Sequence, residues 1–168
     1  MNLKELTCID TNINIDEYIK YRESIKDNME YPEWLGEFSK KDLTYLLNNN
    51  SKIWMYYYNN DFVCSMMMIP SEERNMKKFD LDLDYKEVVD YGPMFVSPKY
   101  RGNKLQYQML EYLDKYSYNL GYKYAVGTIH PDNKYSINNL IKDNFKYTST
   151  KEFTRGLRNI YVKELKDE

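Results

Sequence analysis

Val96-Ser-Pro-Lys-Tyr-Arg-Gly-Asn-Lys-Leu-Gln-Tyr-Gln-Met-Leu110 is the stretch that decides how this chain folds. An apolar strand ends at Val96 and Pro98 closes it. An Arg101-Gly102 turn follows, and an amphipathic helix starts at once. The spacing predicts that helix over residues 101–120, with Leu105, Met109, Tyr112 or Leu113, and Tyr116 facing inward and Gly121 as its C-cap. A strand that passes through a glycine turn into a helix N-terminus suits an anion. The first N–H groups of a helix have no partner within it, and its dipole adds roughly half a positive charge there. Gly102 lets the backbone come close to a bulky anion. The pattern points to a phosphorylated ligand.

Upstream, residues 88–96 read as a strand interrupted by Gly92-Pro93. Neither residue suits a regular central ladder, so a bulge is expected there. Downstream, residues 122–130 read as a strand of small and apolar residues. Pro131-Asp132 then turns the chain into a helix that reaches about Phe145. Further out, Leu3 to Ile9 alternates as a first strand. A helix over residues 15–29 has Asn14 as N-cap and Ile15, Ile19, Arg22 and Ile25 near helical spacing. Tyr31-Pro-Glu-Trp34 breaks it. Ser39 caps a second helix carrying Leu43, Leu46 and Leu47, which the Asn48-Asn-Asn50 run stops. Residues 53–58 and 62–69 form a hairpin around Asn59-Asn-Asp61, and residues 147–154 and 157–165 form another around Arg155-Gly156. Residues 70–84 read as a polar loop with room for a short helical turn. There is no repeat, low-complexity linker or heptad run, so one α/β domain over 1–168 is expected.

A chain of 168 residues fits one domain with a sizeable core. Its formal net charge of −2, with both signs interleaved, makes no electrostatic case for nucleic acid. The N-terminus lacks an apolar signal region, which points to the cytoplasm. The longest apolar run, residues 62–69, falls short of the ~20 residues that span a bilayer, so no membrane role is expected. Cys8 and Cys64 both sit in strand-like apolar patterns and read as buried thiols in a reducing compartment. Without a CxxC or a histidine cluster, no structural metal is expected.

The 96–110 stretch resembles motif A of the GNAT superfamily of acyl-CoA-dependent N-acetyltransferases, roughly V-x-P-x-Y-R-G-x-G-[IL]-G/A-x-x-[LM]-L. Val96, Pro98, Tyr100, Arg101, Gly102, Leu105, Met109 and Leu110 fit, whereas Lys104 and Gln106 replace small residues. A second block, Asn133-Lys-Tyr-Ser-Ile-Asn-Asn-Leu-Ile-Lys-Asp-Asn-Phe145, is similar to the family pattern N-x-x-A-x-x-L-Y-x-K-x-G-F. Asn133, Lys142 and Phe145 match, Ser136 is small, and Leu140 stands where many members have tyrosine.

The resemblance implies an α/β (α+β) fold: a twisted, mixed, mostly antiparallel sheet flanked by helices, splayed between strands 88–96 and 122–130. It implies acetyl-CoA as acyl donor. The CoA pyrophosphate would lie over the N–H groups of Arg101, Gly102, Asn103, Lys104, Leu105 and Gln106. The pantetheine arm and thioester would meet the main chain of Met94, Phe95 and Val96, and Asn133 would contact CoA. The implied reaction is direct attack of a primary amine on the thioester in a ternary complex. Such chemistry needs a base for the ammonium, donors for the oxyanion and an acid for the thiolate.

Asp90 is the candidate base, with lone His130 as a second possibility. Tyr135 is a candidate acid in place of the tyrosine lost at Leu140. Glu30 and Glu33 flank Pro32 in the loop that, by the resemblance, borders the acceptor site, and could attract a cationic amine. An aromatic run over residues 54–58 could line the acceptor cleft or pack in the sheet. A small-molecule or peptide amine is the expected partner. The alternative is a GNAT-like module that binds acyl-CoA or a small amine as a sensor, without turnover.

Overall fold

The computed structural model describes residues 1–167. Its sheet grows from a hairpin closed by Asn59 and Asn60, both with left-handed backbone, φ 47° and 65°. Two-residue antiparallel turns require that conformation, and asparagine tolerates it better than most residues. The turn joins β2 (Lys52–Tyr58) to β3 (Asp61–Pro70). β1 (Thr7–Ile9) pairs with the outer side of β2, and β4 (Val88–Tyr91) pairs with the far end of β3, both antiparallel. A short β5 (Phe95–Val96) also pairs with β3. β6 (Tyr124–Ile129) runs parallel to β4. β7 (Lys146–Phe153) and β8 (Gly156–Glu164) form the last hairpin, and β8 lies antiparallel against β6. The order is β1-β2-β3-β4-β6-β8-β7, a mixed, mostly antiparallel sheet.

The central strands are buried on both faces, and their alternation sorts the helices. Ile53, Met55 and Tyr57 pack with Tyr18 and Ile25 of α1 (Ile15–Asp27) and Leu43 of α2 (Lys40–Asn48). Val88, Val126 and Ile160 meet Met76 and Phe79 of α3 (Glu73–Phe79). The alternate residues Trp54, Tyr56, Met66 and Met68 pack against Met109, Leu110 and Leu113 of α4 (Leu105–Asn119). Ile137 and Leu140 of α5 (Lys134–Lys142) join that last core. Local signals set the helix starts. The Asn14 side chain accepts from the Glu17 N–H, and Ser39 and Asp42 form a reciprocal capping box.

Several expectations need correction. Residues 3–5 form a 3-10 turn, so the first strand is only Thr7–Ile9. The 70–84 segment contains the whole of α3. The fourth helix starts at Leu105, because Pro98–Tyr100 is a 3-10 turn and Lys104 is left-handed. Leu113 faces the core while Tyr112 is exposed. Cys64 is buried as expected, but Cys8 is exposed on the edge strand, where one flank meets solvent. Of the two readings of the aromatic run, packing in the sheet holds: Trp54 and Tyr56 fill one core, Tyr57 the other, and Tyr58 is exposed. Among the described residues no helix is long and apolar enough to cross a membrane.

Candidate functional site

β4 and β6 pair at only three positions: Val88 with Tyr124, Val89 with Ala125, and Asp90 with Val126. Beyond them the chain bulges at Gly92-Pro93. The Gly92 N–H donates to the Met67 carbonyl at 2.8 Å, which holds this stretch on the β3 side. A Cβ on Gly92 would sit 3.0 Å from the Ile69 side chain and 3.1 Å from that of Met67, so those side chains would have to give to admit one. β5 then bonds to Cys64 and Ser65 of β3, while β6 continues along β8 through Gly127, Thr128 and Ile129. The sheet parts here, as the family resemblance implied, and a cleft of about 690 Å³ opens between its halves.

One end of the cleft is the turn into α4. Tyr100 and Lys99 anchor it by binding Asp61 of the hairpin at 2.6 and 2.8 Å. Arg101, Gly102, Asn103, Lys104, Leu105 and Gln106 all line the cleft. Gly102 has φ 86°, and a Cβ there would touch nothing within 4 Å. Its conformation, rather than crowding by neighbouring protein atoms, is what calls for glycine. Lys104 holds φ 57° where the family pattern has glycine, so the left-handed step survives the substitution at a steric cost. The first backbone bond of the helix runs from Gln108 N–H to Lys104 C=O at 3.1 Å. The N–H groups of Leu105 and Gln106 precede it and are left for a ligand or water. The Gln106 side chain crosses to α5, donating to Ser136 Oγ at 3.0 Å and accepting from Asn139 Nδ2 at 2.8 Å. It therefore clasps two helices together. Asn133 caps α5, accepting the Ser136 N–H at 3.3 Å, and lines the cleft.

The middle of the cleft is bordered by Met94, Phe95 and Val96. Phe95 packs on Tyr18 at 5.5 Å, and Met94 and Val96 pack against the opposite core. Their side chains are structural. Because β5 pairs only with β3, its other main-chain edge is left toward the cleft.

Asp90 marks the other end. Burial pushes its carboxyl up to about 7, partly opposed by the charges of Arg155 and Lys78 and by a hydrogen bond with Asn75. Alternation sends Tyr91 to the opposite face, where its hydroxyl donates to Asp114 at 2.6 Å. Tyr135 is exposed at the start of α5 and lines the cleft. Leu140 is buried, and its methyl lies 3.3 Å from where a Cβ on Gly127 would stand, so apolar carbon fills the place of the family tyrosine. His130 stacks on Trp34 at 5.5 Å, and its Nδ1 accepts the Asp132 N–H at 3.1 Å. It is not among the residues that line the cleft. Glu30 lines the cleft, whereas Glu33 contributes its carbonyl oxygen, which accepts from Arg158 at 2.7 Å.

Arg155 and Arg158 also line this end. The sequence shows Arg155 only as part of a hairpin turn. Nothing local indicates that the turn folds back over the cleft.

No protein-family model matches the sequence, and no curated protein does either. Solved structures do match. The chain has the fold of the GNAT superfamily of N-acetyltransferases. A probable acetyltransferase from Staphylococcus epidermidis superposes with a TM-score of 0.73 at 12% identity, covering 96% of this chain and 99% of that one. A GNAT-family acetyltransferase from Streptococcus pneumoniae gives 0.72 at 11% identity, with 96% and 99% covered. A GNAT-superfamily phosphinothricin acetyltransferase from Sinorhizobium meliloti, solved in complex with AcCoA, gives 0.69 at 16% identity, with 95% and 88% covered.

Proposed function

We propose that this protein is an acyl-CoA-dependent N-acyltransferase that moves an acetyl group from acetyl-CoA to a primary amine. The observation that carries the reading is the parting of β5 from β6 at a cleft that the turn with left-handed Gly102 and Lys104 also lines, in a fold whose solved neighbours include a complex with AcCoA. The cleft has the parts such a donor needs. Backbone N–H groups, Arg101 and Lys104 supply positive potential for a pyrophosphate. The free edge of β5 supplies main-chain partners for an extended arm. Acetyl-CoA would supply the activated acyl carbon.

Asp90 takes the proton of the acceptor ammonium. Its carboxyl, raised to about 7 by burial, is suited to proton transfer near neutrality. The amine nitrogen bonds to the acyl carbon, the carbon–sulfur bond breaks, and the thiolate takes a proton, for which Tyr135 is the candidate donor. No covalent enzyme intermediate is involved. Neither cysteine lines the cleft, and burial pushes the Cys64 thiol up to about 12.

Acetyl-CoA and CoA should raise the melting temperature, by the equivalent of roughly 2.7 kcal/mol at 100 times the dissociation constant. A folded protein indifferent to millimolar CoA would sink the reading. The sensor alternative draws on Leu140, which removes the usual acid. Free-thiol release on an amine panel separates the two, since a sensor binds acetyl-CoA and releases none.

A further inference from the structure

The acceptor end of the cleft holds a guanidinium that is aimed but not paired. Arg155 sits on the β7–β8 turn, and its Nη2 donates to Thr128 Oγ1 of β6 at 3.0 Å. Its Nη1 rests over Gly36, where a Cβ would lie only 2.8 Å away. The missing side chain of Gly36 thus makes the seat, and the threonine hydroxyl sets the direction. Arg155 forms no ion pair with any described carboxylate. It feels the charge of Asp90, yet the two stand apart beyond ion-pair distance. The neighbouring Arg158 is spent on protein: its two terminal nitrogens donate to the carbonyls of Leu157 and Glu33, each at 2.7 Å. It adds positive potential beside Arg155 and pins the loop that carries Gly36.

A purely cationic acceptor would meet two guanidiniums here, with Glu30 and Asp90 as the carboxylates that line the same cleft. A zwitterion would not be repelled. Its ammonium could lie toward Asp90 and its oxyanion on the open fork of Arg155, since guanidinium matches carboxylate in geometry and charge. We propose that the acceptor is an amine bearing a nearby carboxylate, as in a free α-amino acid, and that Arg155 is its specificity residue. The proposal rests on the acyltransferase reading for the identity of the site, and adds the chemical class of the acceptor.

The test uses the full chain with acetyl-CoA and matched acceptors, each amino acid beside the amine left when its carboxylate is removed. The pairs are leucine with isoamylamine, phenylalanine with phenethylamine, and methionine with 3-methylthiopropylamine. Thiol release gives kcat/KM for each. One charge-assisted contact corresponds to about 10- to 100-fold, so wild type should favour the amino acid by that factor in at least one pair. Arg155→Ala should erase the preference, mainly through KM, and Arg155→Lys should keep part of it. Where Arg155→Ala melts abnormally, Thr128→Val, which unaims the guanidinium, should shrink the preference instead.

Calorimetry in the presence of CoA reads the same preference without turnover. Preferential binding without thiol release would support this assignment while overturning the transferase reading. Equal handling of both members of every pair, including binding of neither, would overturn the assignment. So would a preference that survives Arg155→Ala in a protein that still binds CoA.

Discussion

Asp143→Asn should flatten the dependence of stability on pH, and the reason lies beneath α5. Lys163 Nζ stands 2.6 Å from Asp114 Oδ2 and 3.3 Å from Asp143 Oδ1. All three side chains are buried, and the Tyr91 hydroxyl donates to the other oxygen of Asp114. The second oxygen of Asp143 has no hydrogen-bond partner. Two carboxylates therefore share one ammonium in a place with little water. Burial, a hydrogen bond between the two carboxyl groups and the charge of Asp114 raise the Asp143 pKa more than Lys163 lowers it. The folded state then holds a proton on Asp143 at pH values where the unfolded chain has lost it.

The sign follows. The stabilising contribution is full at or below the ordinary carboxylate pKa. It falls as pH rises from there through the raised value, by at most about 1.4 kcal/mol per pH unit for one proton. From pH 5 to pH 7 the loss reaches roughly 2.7 kcal/mol if the proton is retained across that range. Asparagine has no proton to lose but keeps an oxygen for Lys163. Asp90, also raised, adds a similar slope up to about pH 7, but it does so in both proteins and cancels in the difference. Urea unfolding at pH 5, 6, 7 and 8 measures the effect. The stability of the variant relative to wild type should climb with pH. A difference that stays constant across these conditions would refute the reasoning, because it would mean that both carboxylates are ionised in the folded state.

Asp90→Asn should lower turnover by roughly 10²–10⁴-fold and remove the acidic limb of the pH–rate profile near 7, with CoA affinity nearly unchanged. Activity in wild type should rise with pH through that limb, since the ionised form is the base. Gly102→Val should weaken CoA binding far more than Cys64→Ala in equilibrium titrations, because φ 86° is closed to a β-branched residue. Equal affinities would place the phosphates elsewhere. Gln106→Ala cuts the link from α4 to Ser136 and Asn139 and should cost about 1–2 kcal/mol in chemical unfolding.

Elements governed by near neighbours were legible in the sequence. Asn14, Ser39 with Asp42, and Asn59-Asn60 each act within a few residues, so their helix starts and hairpin turn follow from side-chain and backbone preferences. The break at Gly92-Pro93 was legible because proline lacks a ladder donor, and the turn at Gly102 because positive φ favours glycine. The splay itself came through resemblance to a family pattern, since pairing of β4 with β6 joins segments separated by the whole of α4. Hydrophobicity alone left one feature open and misplaced another. The aromatic run of β2 alternates between two cores, which only burial on both faces of the sheet decides. Cys8 looks like a core residue in sequence but sits in the exposed edge strand.

The sequence by itself determined most of the order of elements, α3 excepted, and the glycine turn that leads into the helix at Leu105, because backbone dihedrals are set within a few residues. Tertiary structure decided the charge environment. It brought Arg155 from the last hairpin onto Gly36 and Thr128, within reach of the charge of Asp90, and enclosed Asp143 and Asp114 around Lys163. Charge–charge energies and desolvation depend on distance and burial in space, and neither is fixed by separation along the chain.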